Sequence, residues 1–260
     1  MLPKKKSPNI AGLRRPAIFA HRGSSAYAPE NTLAAFCLAI EQGADGIELD
    51  AILSADSQVI VIHDQTADRT TNGTGRVNRL TLTELQTLDA GSHFDASFKG
   101  ERIPSLAEVF NTFGNHIFIN VELKNYASPT DDLPDRVVEL VRKYAFKETI
   151  LISSFNPVAL LRVHYLMPEI PLGLLTIRGK KGAIFRSWLG RLVPHQVIQP
   201  AWTDVNPSLV ADNHHHGCSI FPYTINDPIV MQHLFKIGVD GIYTDNPPSA
   251  LKVLAEINRG

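Results

Sequence analysis

Gly46-Ile47-Glu48-Leu49-Asp50-Ala51-Ile52-Leu53 is followed, after only Ser54-Ala55-Asp56-Ser57, by Gln58-Val59-Ile60-Val61-Ile62-His63. Both runs are rich in the aliphatic and β-branched residues that suit a pleated surface. The four residues between them are too few for a parallel crossover, which takes about a dozen or more. The pair therefore reads as an antiparallel hairpin turning near Ala55-Asp56, with Glu48 opposite His63 and Asp50 opposite Val61. Everywhere else the chain alternates short apolar runs with longer segments of helical spacing, the pattern of βαβ units around a parallel sheet.

The other candidate strands are Ala17–Arg22, His116–Leu123, Thr149–Ser154, Leu172–Ile177, Gln196–Ala201, Ser219–Ile225 and Gly241–Thr244. With the hairpin's return strand set aside, nine runs supply an eight-stranded barrel, and 260 residues match the length of about 250 that eight βα units need. The junctions agree. Asn156-Pro157, Asn206-Pro207, Asp227-Pro228 and Asn246-Pro247 each follow a strand and open a helical pattern. The Asn or Asp side chain caps an orphan N–H, and the proline needs none. Asn31 reads as the same device, and Thr81-x-x-Glu84 and Ser105-x-x-Glu108 as capping boxes. No glycine fingerprint follows the first strand, which weighs against a nucleotide-binding sheet. The expected fold is α/β: a TIM-type (β/α)8 barrel over residues 16–260, with an insertion at about 65–102 after the hairpin strand ending at His63.

Composition bounds the function. A formal net charge of −1 and 44% hydrophobic residues describe a chain with a large core and no global field to attract nucleic acid or an anionic membrane. Lys4, Lys5, Lys6, Arg14 and Arg15 form a basic arm over residues 1–15, without the apolar region of a secretory signal. No run reaches the roughly 18 apolar residues of a membrane span, so no stable membrane insertion is expected. Cys37 and Cys218 show no framework spacing, so reduced thiols and a cytoplasmic location are expected.

Barrel enzymes carry their chemistry at the C-terminal ends of strands. Four such ends here hold polar residues: His21-Arg22-Gly23, Glu48-x-Asp50, His63-Asp64 and Glu122-x-Lys124. Residues two apart on a strand share a face. Glu48, Asp50 and Glu122 together would repel in a low-dielectric mouth, and a hard divalent cation would relieve them. A buried salt network with Arg22 and Lys124 would do so as well, and spacing leaves both readings open. His21 and His63 can exchange protons near neutral pH, and Arg22 and Lys124 suit a phosphoryl group.

These motifs, with Pro29-Glu30-Asn31-Thr32, Gly43-Ala44-Asp45-Gly46 and Gly238-x-Asp240-Gly241-Ile242-x-Thr244-Asp245-x-Pro247, resemble the glycerophosphodiester phosphodiesterase family from about Ala17 to Asn246. Arg69-Thr70-Thr71-Asn72-Gly73-x-Gly75 is similar to that family's inserted region. The resemblance implies a TIM barrel holding one divalent cation, Mg²⁺ or Ca²⁺, at Glu48, Asp50 and Glu122. It implies acid/base roles for His21 and His63, phosphate contacts for Arg22 and Lys124, and a small glycerophosphodiester as substrate. The family usually shows Trp-Thr-Val-Asn near the eighth strand. Here Tyr223-Thr224-Ile225-Asn226 stands there, which places Tyr223 and Asn226 among the substrate contacts and adds a hydroxyl to the aromatic wall.

Other features read as ordinary structure. His214-His215-His216 lies in a helical pattern whose successive side chains diverge, a solvated run. Glu30 supports the first helix or the groups around the site, Asp64 either orients the His63 ring or, as the slightly preferred reading, caps the following turn, and Trp202 stands at a strand end, open to the pocket or the core. Lys180-Lys181-Gly182 with Ala183, Ile184, Phe185, Trp188 and Leu189 reads as an outer barrel helix packing its apolar side inward, with contact to a lipid surface or a lid over the site as the alternatives. The rival functions are a lysophospholipase D-like enzyme, which needs a wide apolar groove that the insertion is expected to narrow, and a non-catalytic phosphate- or metal-binding module.

Overall fold

A computed structural model describes residues 13–114, 116–145 and 148–259. The strands are β1 (Ala17–His21), β2 (Gly46–Leu53), β3 (Val59–Val61), β4 (Phe118–Leu123), β5 (Ile150–Ser154), β6 (Leu172–Thr176), β7 (Val197–Pro200), β8 (Ser219–Ile220) and β9 (Gly241–Thr244). The helices are α1 (Leu33–Glu41), α2 (Leu82–Leu85), α3 (Leu106–Phe113), α4 (Leu133–Tyr144), α5 (Pro157–Leu166), α6 (Lys180–Phe185), α7 (Pro207–His215), α8 (Pro228–Lys236) and α9 (Pro247–Ile257). Asn156, Asn206, Asp227 and Asn246 each cap a helix that opens on proline, and Thr81 and Ser105 form complete capping boxes.

Eight parallel strands run in the order β8-β7-β6-β5-β4-β2-β1-β9, with β3 antiparallel on β2. Backbone bonds from Asp240 N to Ile220 O, Tyr243 N to Pro222 O and Ile225 N to Tyr243 O bring β9 back to the chain around β8, nearly closing a TIM-type barrel. Strand β8 is shorter than expected. Pro222 has no N–H for the ladder, yet Phe221 and Tyr223 still donate to Ile198 and Pro200 of β7.

The hairpin is confirmed with its register corrected by one residue. Ala51 faces Val61 and Leu53 faces Val59, and Ile62 N donates to Asp50 O at 3.0 Å, so Asp50 stands opposite Ile62 rather than Val61, and Glu48 is not opposite His63. The cause is a three-residue loop, Ala55-Asp56-Ser57, closed by Ser54 N to Gln58 O. Ser57 takes the left-handed position at φ 58°, the arrangement of a type I turn followed by an αL residue. The segment after His63 builds a small cluster of its own: Val77, Leu85, Ala90 and Ile103 pack with Ile52, Ile60 and Ile62.

Alternation sorts each strand. Ile47, Leu49 and Ala51 of β2 and Ile119, Val121 and Leu123 of β4 face the helices, while Glu48, Asp50, Asn120 and Glu122 take the inner positions. Lower in the interior, Phe19 meets Phe118, Phe221 and Tyr243 at centroid distances of 5.9, 5.7 and 5.3 Å. Such pairs contribute roughly 0.5–1.5 kcal/mol each beyond their buried area. Gly46 admits this plug, since a Cβ there would lie 2.3 Å from the Phe19 ring.

Residues 1–12 of the expected arm lie outside the described residues. Arg14 and Arg15 pair with Asp45 and Asp240, next to the starts of β2 and β9. Helix α6 departs from the reading of an inward apolar side: Phe185 packs against the core, but Ile184, Trp188, Leu189 and Leu192 are exposed. The segment is too short and sharply folded to bury them all, with the 3₁₀ turn Gly190–Leu192 following closely.

Candidate active site

After β1 the chain turns through two consecutive left-handed residues, Arg22 at φ 60° and Gly23 at φ 81°. Glycine is required at the second, where a Cβ would sit 2.7 Å from Ala35. A non-glycine residue at positive φ is a local cost that persists at functional sites. Here it aims the Arg22 N–H at Glu48 Oε2, 3.0 Å away.

Glu48, Asp50 and Glu122 converge from β2 and β4, where Asp50 pairs in register with Glu122. All three are buried, and each offers an oxygen within 4.8 Å of the others. Asp50 is the best supported. It accepts from Asn31 Nδ2 at 2.8 Å and has Lys124 Nζ at 3.4 Å and Arg22 Nε at 3.2 Å, the last a charge contact off the N–H axis, because Arg22 Nε makes no hydrogen bond. Burial alone would raise its pKa, yet Lys124 and Arg22 hold it below the usual carboxylate value. Burial and the Asp50 charge push Glu48 up to about 8 and also raise Glu122. The salt network therefore exists, but it leaves Glu48 Oε1 buried without a hydrogen-bond partner. An orphaned carboxylate oxygen beside two more carboxylates fits a hard cation with oxygen ligands.

Each histidine at the site is backed by a carboxylate. His21 Nδ1 lies 2.6 Å from Asp245 Oδ1, and Asp245 is held in turn by Ser25 Oγ and by Asn226 Nδ2 at 2.6 Å. Burial pulls the His21 pKa down, but the bond to Asp245 and the Glu48 charge outweigh it and the value rises. His63 Nδ1 lies 2.6 Å from Asp64 Oδ1. Arg69 grips Asp64 at 2.6 Å and holds its carboxyl down at about 2. Of the two roles open to Asp64, the structure shows the one that orients a ring rather than the preferred turn cap. Arg69 also clasps Glu30 with two bonds of 2.8 Å, and Glu30 accepts from Arg22 at 2.9 Å. A chain of alternating charge so runs from His63 through the insertion to Arg22.

His21, Arg22, Glu48, His63, Glu122, Lys124 and Tyr223 all line one cavity of about 260 Å³ at the barrel's C-terminal end, where Asn120, Gln199 and Tyr243 also take part. Its apolar side is Phe155, Leu175 and Tyr223. The Tyr223 hydroxyl donates to Thr176 O at 3.0 Å, and its ring meets Phe155 at 5.8 Å. Asn226 does not line this cavity. Its amide faces Asp245 over an adjoining depression. No insertion residue lines the cavity either, and Trp202 stands apart, partly exposed. In the histidine triplet, His214 reaches the buried Asp240 at 2.8 Å.

Sequence reasoning passed over four groups. Asn31 was read as a cap, but Thr32 caps α1, and Asn31, at φ 58°, turns its amide to Asp50. Tyr126 donates a short hydrogen bond to Glu122. Arg69 and Asp245 complete the set. Asp245 follows the end of β9, so the rule that found Glu122 at a strand end would have found it too.

Known proteins of similar sequence and fold identify the family. The chain is 39% identical over 239 residues to a glycerophosphodiester phosphodiesterase of Caldanaerobacter subterraneus subsp. tengcongensis, covering 91% of this chain and 97% of that one. It is 36% identical over 243 residues to a glycerophosphodiester phosphodiesterase of Bacillus altitudinis, covering 92% and 98%. Among solved structures, it is similar to a phosphodiesterase of Oleispira antarctica in complex with the product sn-glycerol-3-phosphate, with a TM-score of 0.85, 32% identity and coverage of 93% and 97%. A glycerophosphodiester phosphodiesterase of Agrobacterium tumefaciens superposes with a TM-score of 0.80 at 33% identity over 91% and 99%. Residues 21–249 match the glycerophosphoryl diester phosphodiesterase family, and the chain belongs to that family of phosphoric diester hydrolases.

Proposed function

We propose that this barrel, spanning residues 16–260, hydrolyses small glycerophosphodiesters such as glycerophosphocholine and glycerophosphoethanolamine to glycerol 3-phosphate and the free alcohol. The observation that carries the reading is one cavity holding two imidazoles, each with Nδ1 fixed by a carboxylate at 2.6 Å. Fixing Nδ1 as the donor leaves Nε2 to take or give a proton. One histidine removes the proton of the nucleophile, which is water or the glycerol 2-hydroxyl. The other protonates the departing alcohol oxygen, so that the P–O bond breaks without releasing an alkoxide. If the 2-hydroxyl attacks first, a cyclic phosphate forms and water opens it with the proton roles reversed.

Glu48, Asp50 and Glu122 would hold one divalent cation, Mg²⁺ or Ca²⁺. When bound it supplies Lewis-acid polarisation of a non-bridging phosphate oxygen. Arg22 and Lys124 face the same cavity and bring the charge that an anionic diester requires. The Oleispira antarctica relative binds sn-glycerol-3-phosphate, and the same product suits this cavity. A volume of about 260 Å³, near the lower end of ligand pockets, favours a small polar diester over a lysophospholipid with its acyl chain.

The test is release of glycerol 3-phosphate from the two diesters with EDTA, with Mg²⁺ and with Ca²⁺. Release that needs a cation supports the reading. A folded protein that releases none from either diester, but cleaves a lysophospholipid, would overturn the substrate assignment.

A further inference from the structure

We infer that the segment joining β6 to β7 is a docking surface for an anionic phospholipid membrane, set on the rim of the catalytic mouth. It begins beside the cavity: Leu175 lines it, and Thr176 O receives the Tyr223 hydroxyl. Beyond that point Ile177 is 47% exposed, Ile184 52%, Trp188 66% and Leu192 69%. Ile184, Trp188 and Leu192 are spaced four apart, and their exposure is built rather than incidental. Arg186 ties the segment down, donating to Ile177 O and Gly179 O and pairing with Asp204 at 3.0 Å. Gly182 and Gly190 let the turns close, since a Cβ at either would lie within 2 Å of a carbonyl oxygen. The fold is held from beneath, and the large apolar side chains are left outside.

The charge pattern names the occupant. From Pro171 to Thr203 there is no Asp or Glu, while Arg178, Lys180, Lys181, Arg186 and Arg191 all fall in that stretch. Arg186 and Arg191 are neutralised by Asp204 and Asp212. Arg178, Lys180 and Lys181 are exposed and have no ion-pair partner among the described residues. Exposed aliphatics and a tryptophan flanked by free cations are what an interfacial membrane site combines: apolar insertion to headgroup depth, with attraction to anionic lipid. A second copy of the chain is the poorer occupant. A two-fold interface sets the same patch against itself, so Lys180 and Lys181 would meet cations. The inference concerns binding alone and stands apart from the proposed chemistry.

The experiment is sedimentation of the full chain with vesicles of equimolar phosphatidylglycerol and phosphatidylcholine, against phosphatidylcholine alone. The only tryptophans, Trp188 and Trp202, give an emission readout without labels. The expected result is binding to the anionic vesicles with a blue shift, weakened by salt. Lys180→Glu/Lys181→Glu and Trp188→Ser should each reduce partition by about tenfold or more, with an unchanged thermal melt and unchanged diester hydrolysis. Absence of binding to the anionic vesicles, or binding that both variants retain, overturns the proposal. So does a concentration-dependent dimer that Trp188→Ser dissociates, which would assign the patch to a second copy.

Discussion

His21 and Asp245, 224 residues apart in the sequence, meet at 2.6 Å through Nδ1 and Oδ1. The contact exists because β1 lies between β2 and β9, which sets the first and last strand ends side by side. His63 obtains the same distance from its neighbour Asp64. The two imidazoles are therefore supported by unlike means: one across the barrel's closure, the other by a local turn that Arg69 and Glu30 secure.

Asp245→Asn should move one limb of the pH–activity profile. Burial lowers the His21 pKa, and the Asp245 bond and the Glu48 charge raise it past its ordinary value. Removing the Asp245 charge leaves the downward influence stronger, so the His21 pKa falls and its limb of kcat/KM shifts to lower pH. A shift of the descending limb identifies His21 as the acid, and a shift of the ascending limb as the base. The rate at the optimum should also drop by roughly 10²-fold or more, because Nδ1 loses the partner that fixes its tautomer. Unmoved limbs would show that Asp245 does not govern the charge of His21.

Asn31 allows backbone and side chain to be separated. Its φ is 58°, and its amide donates to the buried Asp50 at 2.8 Å. Asn31→Gly keeps the left-handed turn and loses the amide, whereas Asn31→Ala loses both, at a further cost of about 1–2 kcal/mol. Chemical denaturation should rank wild type, Gly and Ala in that order, and both variants should raise the cation concentration for half-maximal activity. A glycine variant equal to wild type in both measurements would remove the amide from the support of Asp50.

How far the sequence reached follows from the range of each interaction. The aliphatic runs and Asn-Pro junctions are local signals, so the strands and caps around Asn156, Asn206, Asp227 and Asn246 were legible. Strand ends carrying charge led to Glu48, Asp50, Glu122, His21 and His63, which do meet around one cavity or ion cluster. Backbone conformations that side chains disguise were not legible: Ser57 in an αL position shifted the hairpin by one residue, and Asn31 in another was mistaken for a cap. Partnerships made by tertiary closure were equally hidden. Nothing in the spacing of Arg69 and Glu30, or of Asn226 and Asp245, announces the bonds that bring them together.

The cation reading predicts a stability change that does not depend on turnover. A ligand bound only by the folded state stabilises it by about 2.7 kcal/mol at a concentration of 100 Kd. The melting temperature should therefore fall in EDTA and recover with Mg²⁺ or Ca²⁺. Glu122→Gln should require at least about tenfold more cation for the same recovery, by analogy with the loss of supporting ligand groups at other metal sites. His21→Ala and His63→Ala should keep the full response while losing roughly 10²–10⁴-fold in rate. A histidine variant that stays folded and loses the response would be a ligand, and the division of roles proposed above would be wrong.

Tyr223 presents its ring to the cavity, but its hydroxyl is committed to Thr176 O at 3.0 Å. Burial raises the phenol's pKa, so the group stays protonated and a donor across the working pH range. Tyr223→Phe should then cost about 0.5–1.5 kcal/mol of stability, the worth of one hydrogen bond, and change kcat/KM by less than about threefold. Tyr223→Ala removes the wall that the ring forms with Phe155 and should raise KM for glycerophosphocholine well beyond that. The contrast between the two variants is what decides. If Phe loses as much kcat/KM as Ala, the hydroxyl leaves Thr176 to contact the substrate, and the tyrosine acts on the diester through hydrogen bonding rather than through its ring.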